Sequence, residues 1–186
     1  MKKIRVAVLY GGRSGEHEVA LRSAASVINN LDRSKFEIVP IGIDKNGKWH
    51  LADPALLQSK TVSLPIFRNM PEVVMPSNPG VSESGVVALN PTSVAASGST
   101  KASFDVVFPV MHGTNGEDGT VQGLLELAEV AYVGCGVLAS AVGMDKDIAK
   151  RLAAAEGLPI VPYFCIRKGE WPARQAEYST RAEKEF

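Results

Sequence analysis

Three short stretches of this sequence concentrate the residue types that do chemistry. The first is Tyr10-Gly11-Gly12-Arg13-Ser14-Gly15-Glu16. Glycines there let a backbone approach a ligand closely, and free amides at a helix start attract an anion. Glu16 has two readings that the residues alone leave open. It can complement the positive end of a helix dipole, a contribution of about 0.3–1 kcal/mol, or it can hold a ligand's ammonium. Spacing excludes two better-known loops. Gly11-Gly12-x-x-Gly15 is not the dinucleotide fingerprint. A nucleophile elbow needs a residue between its serine and the next glycine, and Gly12-Arg13-Ser14-Gly15 has none there.

The second stretch is Met111-His112-Gly113-Thr114-Asn115-Gly116-Glu117-Asp118-Gly119-Thr120, whose three glycines exceed what a connector needs. Asp118 or Thr120 is expected to cap the following helix. His112, just past an apolar run, is placed to donate to a substrate carboxylate or a developing oxyanion. The third stretch is Met144-Asp145-Lys146. Lys146 would begin a helix, where a cation opposes the positive end of the dipole. A solvated lysine is one account of it, and a polyanionic ligand such as a triphosphate is another.

The elements that must position these residues alternate between strand and helix. Residues 4–9 are short, apolar and Val-rich, the signature of a buried strand. Residues 16–31 carry Ala20, Ala24, Val27, Ile28 and Leu31 at helical spacing. Residues 37–43 make a second strand, ahead of hairpin chemistry at Asp44-Lys45-Asn46-Gly47. Together these predict a βαβ unit. Residues 52–103 are broken by Pro54, Pro65, Pro71, Pro76, Pro79 and Pro91 and end in a Ser/Ala-rich tract. They predict an insertion of hairpins and loops over the sheet edge, with a short edge strand at 86–89. Residues 104–110 read as a further buried strand. Helices are expected over 120–129, 137–142 and 146–156, short strands at 131–133 and 160–166, and a helix opening near Glu177. The fold class is α/β, a parallel sheet with flanking helices.

Composition narrows the function classes. Twenty Lys+Arg balance twenty Asp+Glu, and no basic run offers a face for nucleic acid. The apolar run after Lys2 and Lys3 stops at Gly11 and is followed by charge, so no signal peptide is expected. No stretch approaches the roughly 18 apolar residues that span a bilayer. The expectation is a soluble cytoplasmic protein with no membrane partner. Cys135 and Cys165 lack zinc or redox spacing and sit among apolar residues, so reduced core thiols are expected.

In order, the motifs resemble the D-alanine–D-alanine ligase family of the ATP-grasp ligases. The similar strings are residues 8–19 (Val8-Leu9-Tyr10-Gly11-Gly12-Arg13-Ser14-Gly15-Glu16-His17-Glu18-Val19), residues 112–123 (His112-Gly113 through Gln122-Gly123), and residues 132–141 continuing to Met144-Asp145-Lys146. The resemblance implies a Rossmann-like, pre-ATP-grasp domain over residues 1–143, with its insertion at about 52–103. It implies that residues 144–186 begin an ATP-grasp central domain. The implied reaction joins two D-alanines through an acylphosphate made with ATP, for peptidoglycan precursors. By the same resemblance Glu16 and His112 are the catalytic residues, and Gly12, Ser14, Glu16, His112 and Gly113 line the first D-alanine. Lys146 would face the nucleotide. ATP and Mg²⁺, or Mn²⁺ in its place, are the implied cofactors, and a homodimer through the N-terminal domain is the implied assembly. The family's phosphate loop, metal ligands and oxyanion-holding Arg have no counterpart here, so the 186-residue chain is expected to lack a metal site and to be inactive alone. Rival readings are a non-catalytic Rossmann-like module for a nucleotide or amino acid, and a related ligase with D-lactate or D-serine as acceptor.

Overall fold

The computed structural model describes residues 2–53, 70–77, 85–89 and 101–186. The chain forms two compact units, Met1–Met144 and Asp145–Phe186. In the first, the described strands are β1 (Ile4–Gly11), β2 (Phe36–Ile43), β3 (Trp49–Leu51), β4 (Glu72–Val74), β5 (Gly85–Ala88), β6 (Lys101–Ser103) and β7 (Val106–Met111). They form one sheet in the order β6-β5-β4-β3-β2-β1-β7. Its helices are α1 (His17–Asn30), α2 (Thr120–Leu127) and α3 (Val137–Met144).

The expected parallel sheet is in fact mixed. β1 runs parallel to β2 on one side and to β7 on the other, and β3 to β6 continue from β2 as an antiparallel meander. The reason is local. Asp44 Oδ1 accepts the amides of Asn46 at 2.8 Å and Lys48 at 3.0 Å, and Gly47 takes φ 88°. This turn sends the chain straight back, whereas a parallel neighbour needs a crossover of a dozen residues or more. The strand expected at the edge, β5, lies inside, with β6 beyond it. The rest of the expected insertion, residues 54–69, 78–84 and 90–100, lies outside the described residues.

The alternation of β1 builds two cores. Val6, Val8 and Tyr10 pack with Ala24 and Ile28 of α1, while Ala7 and Leu9 face Val121 and Leu125 of α2. Each Val, Leu or Ile among them contributes roughly 1.5–3 kcal/mol when buried. A one-residue slip of β1 would exchange the two sets, so both helices fix its register. At the other end of the strands, Arg5 and Asp105 join β1 to the segment entering β7. The Arg5 guanidinium donates to Asp105 Oδ1 at 2.8 Å, and the Arg5 amide to Oδ2 at 2.7 Å.

Two expected strands are not formed. Residues 131–133 make a single parallel bridge, Val107 to Tyr132, with Val107 N–H donating to Ala131 O and Val133 N–H to Val107 O. The next donor on that rail would be residue 109, and Pro109 has none. Residues 160–166 belong to the second unit, which has no described sheet to receive them. Their side chains pack on helices instead. Tyr163 donates to Asp147 Oδ1 at 3.0 Å in α4 (Lys146–Ala155), and Phe164 stacks on Tyr178 of α5 (Trp171–Glu185) with centroids 6.2 Å apart. α5 is kinked at Arg174 (φ −126°, ψ 18°): a first turn begins at Trp171 with Pro172 in it, and the helix beyond the kink starts close to the expected opening near Glu177. Both cysteines are exposed free thiols, not core residues, Cys135 lying in the turn between Gly134 and Gly136.

Candidate functional site

The sheet order decides where the motifs meet. From β1 the chain moves to β2 on one side and later returns to β7 on the other, so the strand order reverses between β1 and β7. Open α/β sheets bind ligands in the crevice beyond the carboxyl ends of strands at such a point. Gly11 and Met111 are register partners at these ends. The loops that follow, 12–16 and 112–119, therefore leave the sheet side by side although they lie about a hundred residues apart in sequence.

The first loop needs its glycines. Gly11 and Gly12 take φ of 88° and 105°, and a β-carbon at Gly11 would collide with the Ile43 carbonyl oxygen. The Gly12 amide donates to that same Ile43 oxygen at 2.8 Å. His17, buried in the first turn of α1, donates from Nδ1 to the Gly12 carbonyl at 2.8 Å. Ser14 joins the two loops. Its hydroxyl donates to the His112 carbonyl at 2.6 Å and accepts the Glu16 amide at 3.1 Å.

Glu16 is the N-cap of α1, but its side chain makes no capping hydrogen bond. It lies exposed across the second loop, with Oε2 2.7 Å from where a β-carbon on Gly113 would stand. Ser14 Cβ would be 3.1 Å from the same point. Gly113 takes φ 75°, so the glycine serves both the backbone conformation and the close approach of Glu16.

The second loop is held from within. The Asp118 carboxylate accepts the amides of Asn115 at 2.9 Å and Thr120 at 3.0 Å. Partial burial opposes its charge, yet these hydrogen bonds hold its carboxyl below the usual carboxylate range. The cap position itself is Gly119, one residue after Asp118. Buried Gln122 of α2 donates from Nε2 to the Gly116 carbonyl at 2.9 Å. Glu117 takes the Gly113 amide on Oε2 at 2.7 Å and brings Oε1 to 3.5 Å from Nδ1 of His112. The other ring nitrogen, Nε2, lies 2.9 Å from Ser23 Oγ on α1.

Gly12, Ser14, Glu16, His112 and Gly113 thus stand together in the first unit. Sequence reasoning gave no role to Glu117 or Ser23. Glu117 lies inside the quoted loop, and Ser23 was legible only as a hydroxyl set among the alanines of a half-buried helix face. The exposed Glu16 carboxylate, with no capping hydrogen bond, is open to a cation.

Lys146, in the second unit, is exposed at the first position of α4. Asp145, the N-cap, accepts the amides of Asp147 at 3.0 Å and Ile148 at 3.1 Å. These acids offset the unfavourable dipole at Lys146, so its position does not by itself require an anionic ligand. Among the described residues no group of three or more His, Cys, Asp or Glu could hold a metal ion. No described helix is long and apolar enough to cross a membrane.

The family model described as D-ala D-ala ligase N-terminus matches residues 5–135. The D-alanine–D-alanine ligase A of Bradyrhizobium diazoefficiens is 56% identical over 167 residues, which are 89% of this chain and 43% of that protein. The D-alanine–D-alanine ligase of Caldicellulosiruptor bescii is 45% identical over 188 residues, 100% of this chain and 48% of that protein. Among solved structures, the D-alanine–D-alanine ligase of Coxiella burnetii matches with a TM-score of 0.80 and 32% identity, over 100% of this chain and 50% of that one. A D-Ala:D-Ser ligase of Enterococcus faecalis matches with a TM-score of 0.72 and 34% identity, over 96% of this chain and 49% of that one. The chain spans about half the length of the curated relatives it matches. With its two glycine-rich loops inside the matched residues 5–135, the chain belongs to the D-alanine–D-alanine ligase N-terminal family.

Proposed function

We propose that this chain is the substrate-side portion of an ATP-dependent D-alanine–D-alanine ligase of peptidoglycan synthesis. One observation carries the reading: the uncapped carboxylate of Glu16 lies over Gly113 and beside the His112 loop, at the reversal of strand order. In the proposed reaction the γ-phosphoryl group of ATP passes to the carboxylate of the first D-alanine. The amine of the second attacks that carbon, and phosphate leaves. Glu16 holds the ammonium of the first D-alanine. His112 lies near its carboxylate, while Gly12 and Ser14 shape the loop against it. Residues 1–143 form the Rossmann-like domain and 144–186 begin the ATP-grasp central domain, with Lys146 toward the nucleotide. Mg²⁺ would supply charge neutralisation between phosphate oxygens, but the described residues do not fit a metal site, so no step here runs through it.

The acceptor is a separate matter. Similarity to a D-Ala:D-Ser ligase is as close as to the Coxiella D-alanine–D-alanine ligase, at 34% and 32% identity. This agrees with a half that holds the first D-alanine and leaves acceptor choice to the other half.

Exposed ion pairs contribute roughly 0.2–1 kcal/mol each, whereas a millimolar ligand needs about 4 kcal/mol. Binding by this half alone is therefore expected to be weak and suited to NMR. Titration with D-alanine should shift amides of residues 12–17 and 112–119, with L-alanine as the control, and Glu16→Gln should abolish the response. Shifts elsewhere, or an unchanged response in Glu16→Gln, would overturn the assignment. The 186-residue chain should release no phosphate above a blank with D-alanine, ATP and Mg²⁺; release would show that catalysis does not need the remainder.

A further inference from the structure

We propose that Ser23 is a positioning residue for His112, its hydroxyl holding the orientation of an imidazole whose Nδ1–H faces Glu117. Its value to the substrate site rests on the reading of His112 given above; the ring geometry does not. Serine in the interior of a helix ordinarily turns its hydroxyl to solvent or back to the carbonyl four residues earlier. Ser23 does neither. It meets the ring of a residue 89 positions along the chain, at 2.9 Å. Alanine would serve α1 better as a helix former, and Ala24 and Ala25 follow immediately. The hydroxyl is therefore explained by His112 and not by the helix.

The tautomer follows from what each neighbour can do. Glu117 presents a carboxylate to Nδ1 at 3.5 Å, anchored by its other oxygen on the Gly113 amide at 2.7 Å. A carboxylate only accepts, so Nδ1 carries the proton. In the neutral ring Nε2 is then a lone pair, and the Ser23 hydroxyl donates to it. If the ring takes up a second proton, Nε2–H donates and Ser23 Oγ accepts. A hydroxyl can do both, so one residue holds the ring in either state. The neighbouring Ala24 and Ile28 pack α1 into the core beneath the sheet, which makes the holding point rigid. Ring orientation is thus set before any ligand arrives, with both ring nitrogens held by this chain's own side chains.

The test needs no turnover. Long-range ¹H–¹⁵N correlation spectra of the 186-residue chain, under conditions where the ring is neutral, read the protonation of each ring nitrogen. His112→Asn identifies the signals among the three histidines. The wild type should show Nδ1 as the protonated nitrogen and Nε2 as the unprotonated one. In Ser23→Ala the unprotonated Nε2 should move downfield, because it loses the hydrogen bond that the hydroxyl donates to it. Ser23→Thr, which restores the hydroxyl, should restore the wild-type shifts; a purely structural role would not respond to that rescue. Ring nitrogens unchanged in Ser23→Ala, or a wild-type ring protonated on Nε2, would overturn the proposal. Failure of D-alanine to bind while the ring behaves as expected would count against the substrate reading alone.

Discussion

Replacing Gly113 by alanine separates the conformational role of this glycine from its role as the floor beneath Glu16. The position has φ 75°, a region that costs an L-residue roughly 1–2 kcal/mol. The new β-carbon would stand 2.7 Å from Glu16 Oε2 and 3.1 Å from Ser14 Cβ. Glu16 is exposed and makes no capping hydrogen bond, so its side chain can move away at little cost to folding. It cannot stay where it is. Gly157 provides the control: its φ is 73° and nothing lies within 4 Å of an added β-carbon. Gly157→Ala and Gly113→Ala should therefore each lose about 1–2 kcal/mol in urea unfolding, read from unit-specific probes such as residue-resolved amide signals. Only Gly113→Ala should lose the D-alanine response in the NMR titration. If Gly113→Ala kept that response at wild-type strength, the placement of Glu16 over Gly113 would not be what creates the site. If it cost no stability, the argument from φ would fail as well.

Two further outcomes follow from the geometry. Asp105 has its carboxyl lowered to about 2 by the side-chain hydrogen bond from Arg5, helped by the Arg5 amide. Because the folded value lies below the ordinary Asp value of about 3.9, this contribution is complete above pH ~4 and is lost as pH falls through about 2. The side chain is 38% exposed, so screening limits the pair to about 1 kcal/mol. Asp105→Asn should cost about that much at neutral pH, with the gap to wild type narrowing in urea melts toward pH ~2.5; an equal gap at both pH values would contradict it. Asp145→Ala removes the carboxylate that receives the Asp147 and Ile148 amides. It should destabilise α4 by about 1 kcal/mol, seen as faster amide exchange in its first turn, with β1 unaffected; unchanged exchange would show that solvent caps that helix equally well.

Much of the fold was legible because its signals are local. The Val-rich run of β1, the helical spacing of Ala20, Ala24 and Ile28 and the turn chemistry at Asp44 to Gly47 each report on a few neighbouring residues. Errors arose where a partner had to be known. Residues 131–133 look like a strand until Pro109 is seen on the neighbouring rail, and 160–166 look like one until the second unit is found to offer no described strand. The apolar settings of Cys135 and Cys165 in sequence said nothing of depth, since flanking glycines or prolines can hold an apolar run at the surface.

The sequence by itself determined the ingredients of the site: glycines at 11, 12 and 113 for backbone conformations that side chains resist, and Glu16 and His112 as the charged and donating groups. Tertiary structure decided their combination. Pairing of Gly11 with Met111 across parallel strands brings the two loops together, and that pairing exists because both faces of β1 are buried in a fixed register. Ser23 shows the limit most plainly. Its hydroxyl has no local partner that the sequence could reveal, and only the packing of α1 against the sheet brings it to a ring 89 residues away.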